Sequence, residues 1–145
     1  MRDPTDLAHL VRQWAVRADE DLAAAACLQT VPGAALAATV CFHAQQSAEK
    51  NLKALLPWCS IAAPRTHDIG ALVALLPAGI TVPLTAAEQE TLTDHATHTR
   101  YPGDWEPVGP SEAMEALAIA QRLRAAVRSH LPAPAPSSPP LPLSP

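Results

Sequence analysis

Between Pro32-Gly33 and Pro57 runs a stretch of more than twenty residues that is apolar around most of its circumference when wound as a helix. Leu36, Ala37, Val40, Cys41, Ala44, Ala48, Leu52, Leu55 and Leu56 recur at helical spacing and make one broad stripe. Such a helix must be covered on several sides. It is expected over about Ala34 to Leu56, at the centre of a bundle, with Pro57 ending it. Hydrophobic residues make up 48% of the 145 residues, yet aromatics only 3%. The core is therefore filled by Ala, Leu and Val, whereas a sheet would favour β-branched and aromatic side chains.

The flanking segments supply the covering. A first helix is expected from about Pro4 to Gln29, with Asp3 as its cap, Pro4 in the first helical position and Asp6 in the positive first turn. Leu7, Leu10, Val11, Trp14, Ala18, Leu22 and Ala25 share one of its faces. A short third helix has Thr66 as its expected cap, turns Ile69, Leu72, Val73 and Leu76 inward, and stops at Pro77 and Gly79. Thr85 and Glu88 have capping-box spacing and open a fourth helix running to about Thr99. Tyr101-Pro102-Gly103 breaks the chain again. Ser111 is the expected cap of a fifth helix. Met114, Leu117, Ala118, Gln121, Leu123, Ala125 and Val127 continue it, and Arg122, Arg124, Arg128 and His130 suit its negative end. The expected fold class is all-α, an up-and-down bundle of four or five helices over residues 1–131. Residues 132–145, half of them proline, are expected to form a disordered, extended tail.

Charge and cysteine usage exclude several classes. A net charge of −4 gives no general positive field for coating DNA or RNA, though it leaves room for one local basic site. Cys27, Cys41 and Cys59 are odd in number and widely spaced, so reduced, mostly buried thiols in a cytoplasmic protein are expected. No apolar run approaches the roughly 20 residues that span a membrane. The start, Met1-Arg2-Asp3-Pro4, is charged where a signal peptide needs an apolar stretch. No metal centre and no cofactor are expected.

Several polar residues stand out. His43, Gln46, Glu49, Lys50 and Lys53 lie on the most apolar helix, and these are the only two lysines of the chain. They read either as a polar groove or dimer seam for bases and phosphates, or as a satisfied core network with a solvated face. Glu49 and Lys53 stand four apart in the favourable order. His67 and Asp68 sit at a helix start, either as capping residues or as a histidine at the mouth of a site with Asp68 fixing its tautomer or charge. Arg65 adds a cation two residues earlier. His95 and His98 share a face one turn before Arg100, and Arg100 with Tyr101 reads either as helix punctuation or as an anion contact beside a stacking partner.

Three pieces of this chain together resemble the HEPN family. They are Cys41-Phe42-His43-Ala44-Gln45-Gln46-Ser47-Ala48-Glu49-Lys50-Asn51-Leu52-Lys53-Ala54-Leu55-Leu56, then Thr66-His67-Asp68-Ile69 with Leu72, then Thr99-Arg100-Tyr101-Pro102-Gly103. They occur in the family's order and span about residues 6–131. The resemblance implies a helical bundle that pairs as a homodimer. It also implies a link to RNA cleavage, to toxin–antitoxin pairs with a minimal nucleotidyltransferase, or to nucleotide binding. The nuclease members carry an Arg, four to six residues, then a His. The Arg steadies phosphoryl charge while the His handles protons at the ribose 2′-hydroxyl. Here Arg2 with His9 and Arg124 with His130 match only formally, at the outer ends of the first and last helices. Arg100, which matches the subgroup's own pattern, has no His within six residues after it. The expected binding residues for nucleotide or RNA are therefore His43, Gln46, Lys50, Lys53, Arg65, His67, Asp68, Arg100 and Tyr101, with His67 and Arg100 as the catalytic candidates.

Overall fold

The computed structural model describes residues 3–97, 103 and 106–132. The expectations for Arg2, His98, Arg100, Tyr101 and the tail from residue 133 fall outside the described residues.

Five helices follow in order: α1 (Pro4–Gln29), α2 (Ala37–Trp58), α3 (Ile69–Ala74), α4 (Ala86–Thr97) and α5 (Pro110–His130). No strand occurs among the described residues. The helix α1 begins as expected, with the Asp3 carboxylate accepting from Thr5 N at 2.7 Å. The capping box at α4 also forms: Glu88 N donates to Thr85 Oγ1 at 3.1 Å, and Thr85 N donates to Glu88 Oε1 at 2.9 Å.

Other ends differ from expectation. Helix α2 starts at Ala37 rather than Ala34: the residues before it form a turn in which Ala37 N donates to Ala34 O at 3.2 Å, and Leu36 stands at the cap position without a side-chain cap bond. Pro57 does not end α2 but lies inside its last turn. The stop comes from Ser60, which adopts a left-handed conformation at φ 64°. Ile61 N then reaches back to Leu56 O at 2.9 Å and Ser60 N to Pro57 O at 2.9 Å, the bond pair of a Schellman motif. The cap of α3 is Asp68, accepting from Ala71 N at 3.1 Å, while Thr66 accepts too early in the chain, from Asp68 N. The cap position of α5 is Gly109, since Pro110 is preset for the first helical position and moves the start upstream of Ser111.

Helix α2 is the centre, with fourteen of its twenty-two residues buried. Its second half packs Ala48, Leu52, Leu55 and Leu56 with Ile69, Leu72, Leu92, Ile119, Leu123 and Val127. Each fully buried Leu or Ile contributes about 1.5–3 kcal/mol. Its first half meets Ala25, Ala113, Ala116 and Ala120 through Ala37, Val40, Cys41 and Ala44. These small side chains bring α1, α2 and α5 close together. Successive parts of α2 thus meet successive parts of α5, so those two helices run parallel, and α1 runs antiparallel to both. The buried face of α5 is Ala113, Ala116, Ile119, Ala120, Leu123 and Val127, while Met114, Ala118, Gln121 and Ala125 are exposed. That face obeys the three-four spacing more closely than the expected set. The cysteines are free, and Cys27 is exposed where burial was expected. Among the described residues no helix is long and apolar enough to cross a membrane.

Candidate functional site

Helical winding places Gln45, Glu49 and Lys53 one above the other on α2, with Gln46, His43 and Lys50 on the adjoining stripe. The chain before α3 folds over the first row, and α1 flanks the second.

Glu49 is the hub. Its side chain is 5% exposed, and it accepts from Lys53 Nζ at 2.8 Å and from Gln45 Nε2 at 2.9 Å. The third partner is His67, whose Nδ1 lies 3.0 Å from Glu49 Oε2 and 3.1 Å from Oε1. Gln46 Nε2 donates to Gln45 Oε1 at 2.7 Å and extends the chain of bonds toward the surface. Gln45 Nε2 also reaches the His67 carbonyl at 3.4 Å, pinning the loop to the helix. Burial pushes the Glu49 carboxyl up. The hydrogen bonds from Lys53, Gln45 and His67, with the Lys53 charge, outweigh it and hold the group below its ordinary value. Lys53 in turn sits 5.7 Å from the centre of the Trp14 ring on α1, a cation–π contact that fixes its direction.

The adjoining stripe has its own anchor. Asp21 of α1 binds His43 Nδ1 at 2.9 Å and takes Lys50 Nζ on its other oxygen. Phe42 packs edge-on to the His43 ring, with centroids 5.6 Å apart.

Of the expected binding residues, Lys53 and His67 therefore converge on one carboxylate, and Gln46 joins them through Gln45. His43 and Lys50 converge on another carboxylate. Asp68 does not fix His67. Its carboxylate caps α3, and Glu49 holds the histidine instead. Arg65 is exposed and makes no ion pair or hydrogen bond among the described residues. His95 is buried in α4. Sequence reasoning missed Asp21, Gln45 and Trp14. Gln45 carries a signal, standing four residues before Glu49, but nothing in the sequence of α1 singles out Asp21.

Chemically, both lysines are committed to carboxylates, so neither is a bare phosphate contact. What faces solvent is the His67 ring, 67% exposed, held from behind through Nδ1. A ring anchored in this way presents its other nitrogen outward in a fixed direction. Among the described residues no group of three His, Cys, Asp or Glu side chains is placed to hold a metal ion.

Known proteins similar to this chain place the geometry in a wider setting. The family described as HEPN domain matches residues 11–130. No curated protein matches the chain. Among solved structures, the crystal structure of TT1696 from Thermus thermophilus is similar, at 33% identity and a TM-score of 0.73, covering 83% of this chain and 98% of that one.

Proposed function

Because the chain belongs to the HEPN domain family, we propose that it is the nucleotide- or RNA-binding member of a cytoplasmic toxin–antitoxin or defence pair, acting as a homodimer beside a minimal nucleotidyltransferase. The observation that carries the binding part is the exposed His67 ring held by buried Glu49, with Arg65, unpaired among the described residues, two positions away. The outward ring nitrogen bonds a phosphate oxygen or ribose hydroxyl, and the Arg65 guanidinium offers a two-pronged contact to phosphate. Lys50 and Lys53 act from behind. By neutralising Asp21 and Glu49 they keep an approaching anion from meeting bare carboxylates.

Calorimetry with purine nucleotides and a short single-stranded RNA tests this. Binding is expected for the wild type and is lost in Arg65→Ala and His67→Ala with the fold intact. No heat at about 1 mM ligand, where even a 4 kcal/mol interaction registers, removes the reading. The partnership is tested separately. A pull-down from the native host that recovers a nucleotidyltransferase supports it, and repeated failure together with no growth effect on expression counts against it.

One feature favours a second reading, a metal-independent endoribonuclease. Two histidines, His43 and His67, are each held through Nδ1 by a carboxylate, the arrangement that fixes a tautomer for proton transfer. RNA cleavage in the presence of chelator that disappears in His43→Ala or His67→Ala supports it, and cleavage unchanged in both variants points to contamination or to another site.

A further inference from the structure

A second cleft lies where the early turns of α1 meet the last turn of α5, with a volume of about 260 Å³. Ala8, Val11, Ala15, Leu131 and Pro132 give it an apolar floor. Arg12, Arg124 and Arg128 stand around it. We propose that this cleft binds a small aryl anion: one ring-sized apolar body bearing a single phosphate, sulfonate or carboxylate group.

Charge is the first argument. Three guanidinium groups line the cleft, and one carboxylate, Asp19, answers two of them. Arg124 Nε donates to Asp19 Oδ1 at 2.7 Å, and Arg128 Nη2 donates to the same oxygen at 2.9 Å. Arg12 is exposed and has no ion pair or hydrogen bond among the described residues. The cleft therefore carries a surplus of two positive charges. Donor capacity also remains on Arg124, whose Nη1 has no hydrogen-bond partner among the described residues. An oxyanion satisfies such donors with the fork geometry of a guanidinium.

Shape is the second argument. A free inorganic anion would leave the apolar floor wet, and a neutral hydrocarbon would turn its back on three cations. A ligand with both parts satisfies both surfaces. Size sets the scale: a dry apolar cavity of about 150 Å³ takes up benzene, so this volume holds one ring plus its charged group. The site is separate from the His67 surface, and its occupancy does not depend on the function proposed there.

The test uses the full chain and phenyl phosphate as probe, with inorganic phosphate and phenol as comparisons, followed by calorimetry and amide chemical shifts. Phenyl phosphate is expected to bind at least ten-fold more tightly than either comparison and to shift the amides of Ala8, Val11, Ala15 and Leu131. Arg12→Gln weakens it about ten-fold at unchanged melting temperature, because Arg12 supports nothing else among the described residues. Ala8→Leu, which fills the floor, blocks it while leaving Arg12 in place. Binding no tighter than that of inorganic phosphate, or binding untouched by both variants, overturns the proposal.

Discussion

Replacing Glu49 by Gln keeps the shape of the hub and removes its charge. The amide nitrogen of the new side chain must then face one of three donors, Lys53 Nζ, Gln45 Nε2 or His67 Nδ1, and the ammonium of Lys53, whose side chain is 10% exposed, is left without its counter-charge. At 2.8 Å the pair's gross attraction is about 6 kcal/mol for an effective dielectric constant of about 20. The glutamine avoids the carboxylate's desolvation, which offsets roughly half of that. A net loss of about 3 kcal/mol follows, the low end of the 3–5 kcal/mol typical of a broken buried pair. For a domain stable by about 5–15 kcal/mol this is a large fraction. In urea, with a slope of about 2 kcal/mol/M, the midpoint falls by about 1.5 M. Adding Lys53→Met removes the orphaned charge and should return most of the loss, since the cost of breaking a buried pair comes mainly from the uncompensated charge left behind. The reasoning is refuted if Glu49→Gln costs less than about 1 kcal/mol, or if the double variant is as unstable as the single one.

Acid should weaken the fold. Asp19 is raised by burial but held below its ordinary value by Arg124 and Arg128, and Glu49 is held down by its own donors. Groups with lowered folded values give their full stability above the unfolded carboxylate range and lose it as pH falls through the folded values. The urea midpoint should be flat from pH 7 to about pH 5 and then decline, and Asp19→Asn should make that decline shallower. Thr85→Ala removes the reciprocal cap of α4 and should cost about 1 kcal/mol in the same unfolding experiment. Burial pushes the Cys41 thiol up to about 12, so a disulfide reagent at pH 8 should label exposed Cys27 quickly and reach Cys41 only after unfolding.

Periodicity made the core legible. Leu52, Leu55, Leu56 and Leu72 are buried where a helical stripe puts them, because covering an apolar face leaves a chain little choice. Helix ends were less legible where two residues competed for one role. Thr66 and Asp68 are both good caps, and what separates them is the Thr93 hydroxyl on α4, which accepts from Ile69 N at 3.0 Å and fixes where α3 begins. The site was half legible. Glu49 with Lys53 is written in their spacing of four. The pairing of His67 with Glu49, eighteen residues away, and of Asp21 with both His43 and Lys50 depends on how three elements pack, and no local pattern carries that information.

The Asp19 clamp has a consequence for how the chain is made. Asp19 belongs to the first helix, and its partners Arg124 and Arg128 lie 105 and 109 residues later. During synthesis α1 and α2 emerge first and can pair as a hairpin. The alanine face of that hairpin then waits uncovered until α5 leaves the ribosome. Until that moment Asp19 lacks Arg124 and Arg128, and Val40, Cys41 and Ala44 are covered by α1 alone. Closure by the last helix is thus the step that commits the molecule, and a chain cut short before Leu123 should be recognised by chaperones and proteases as unfinished.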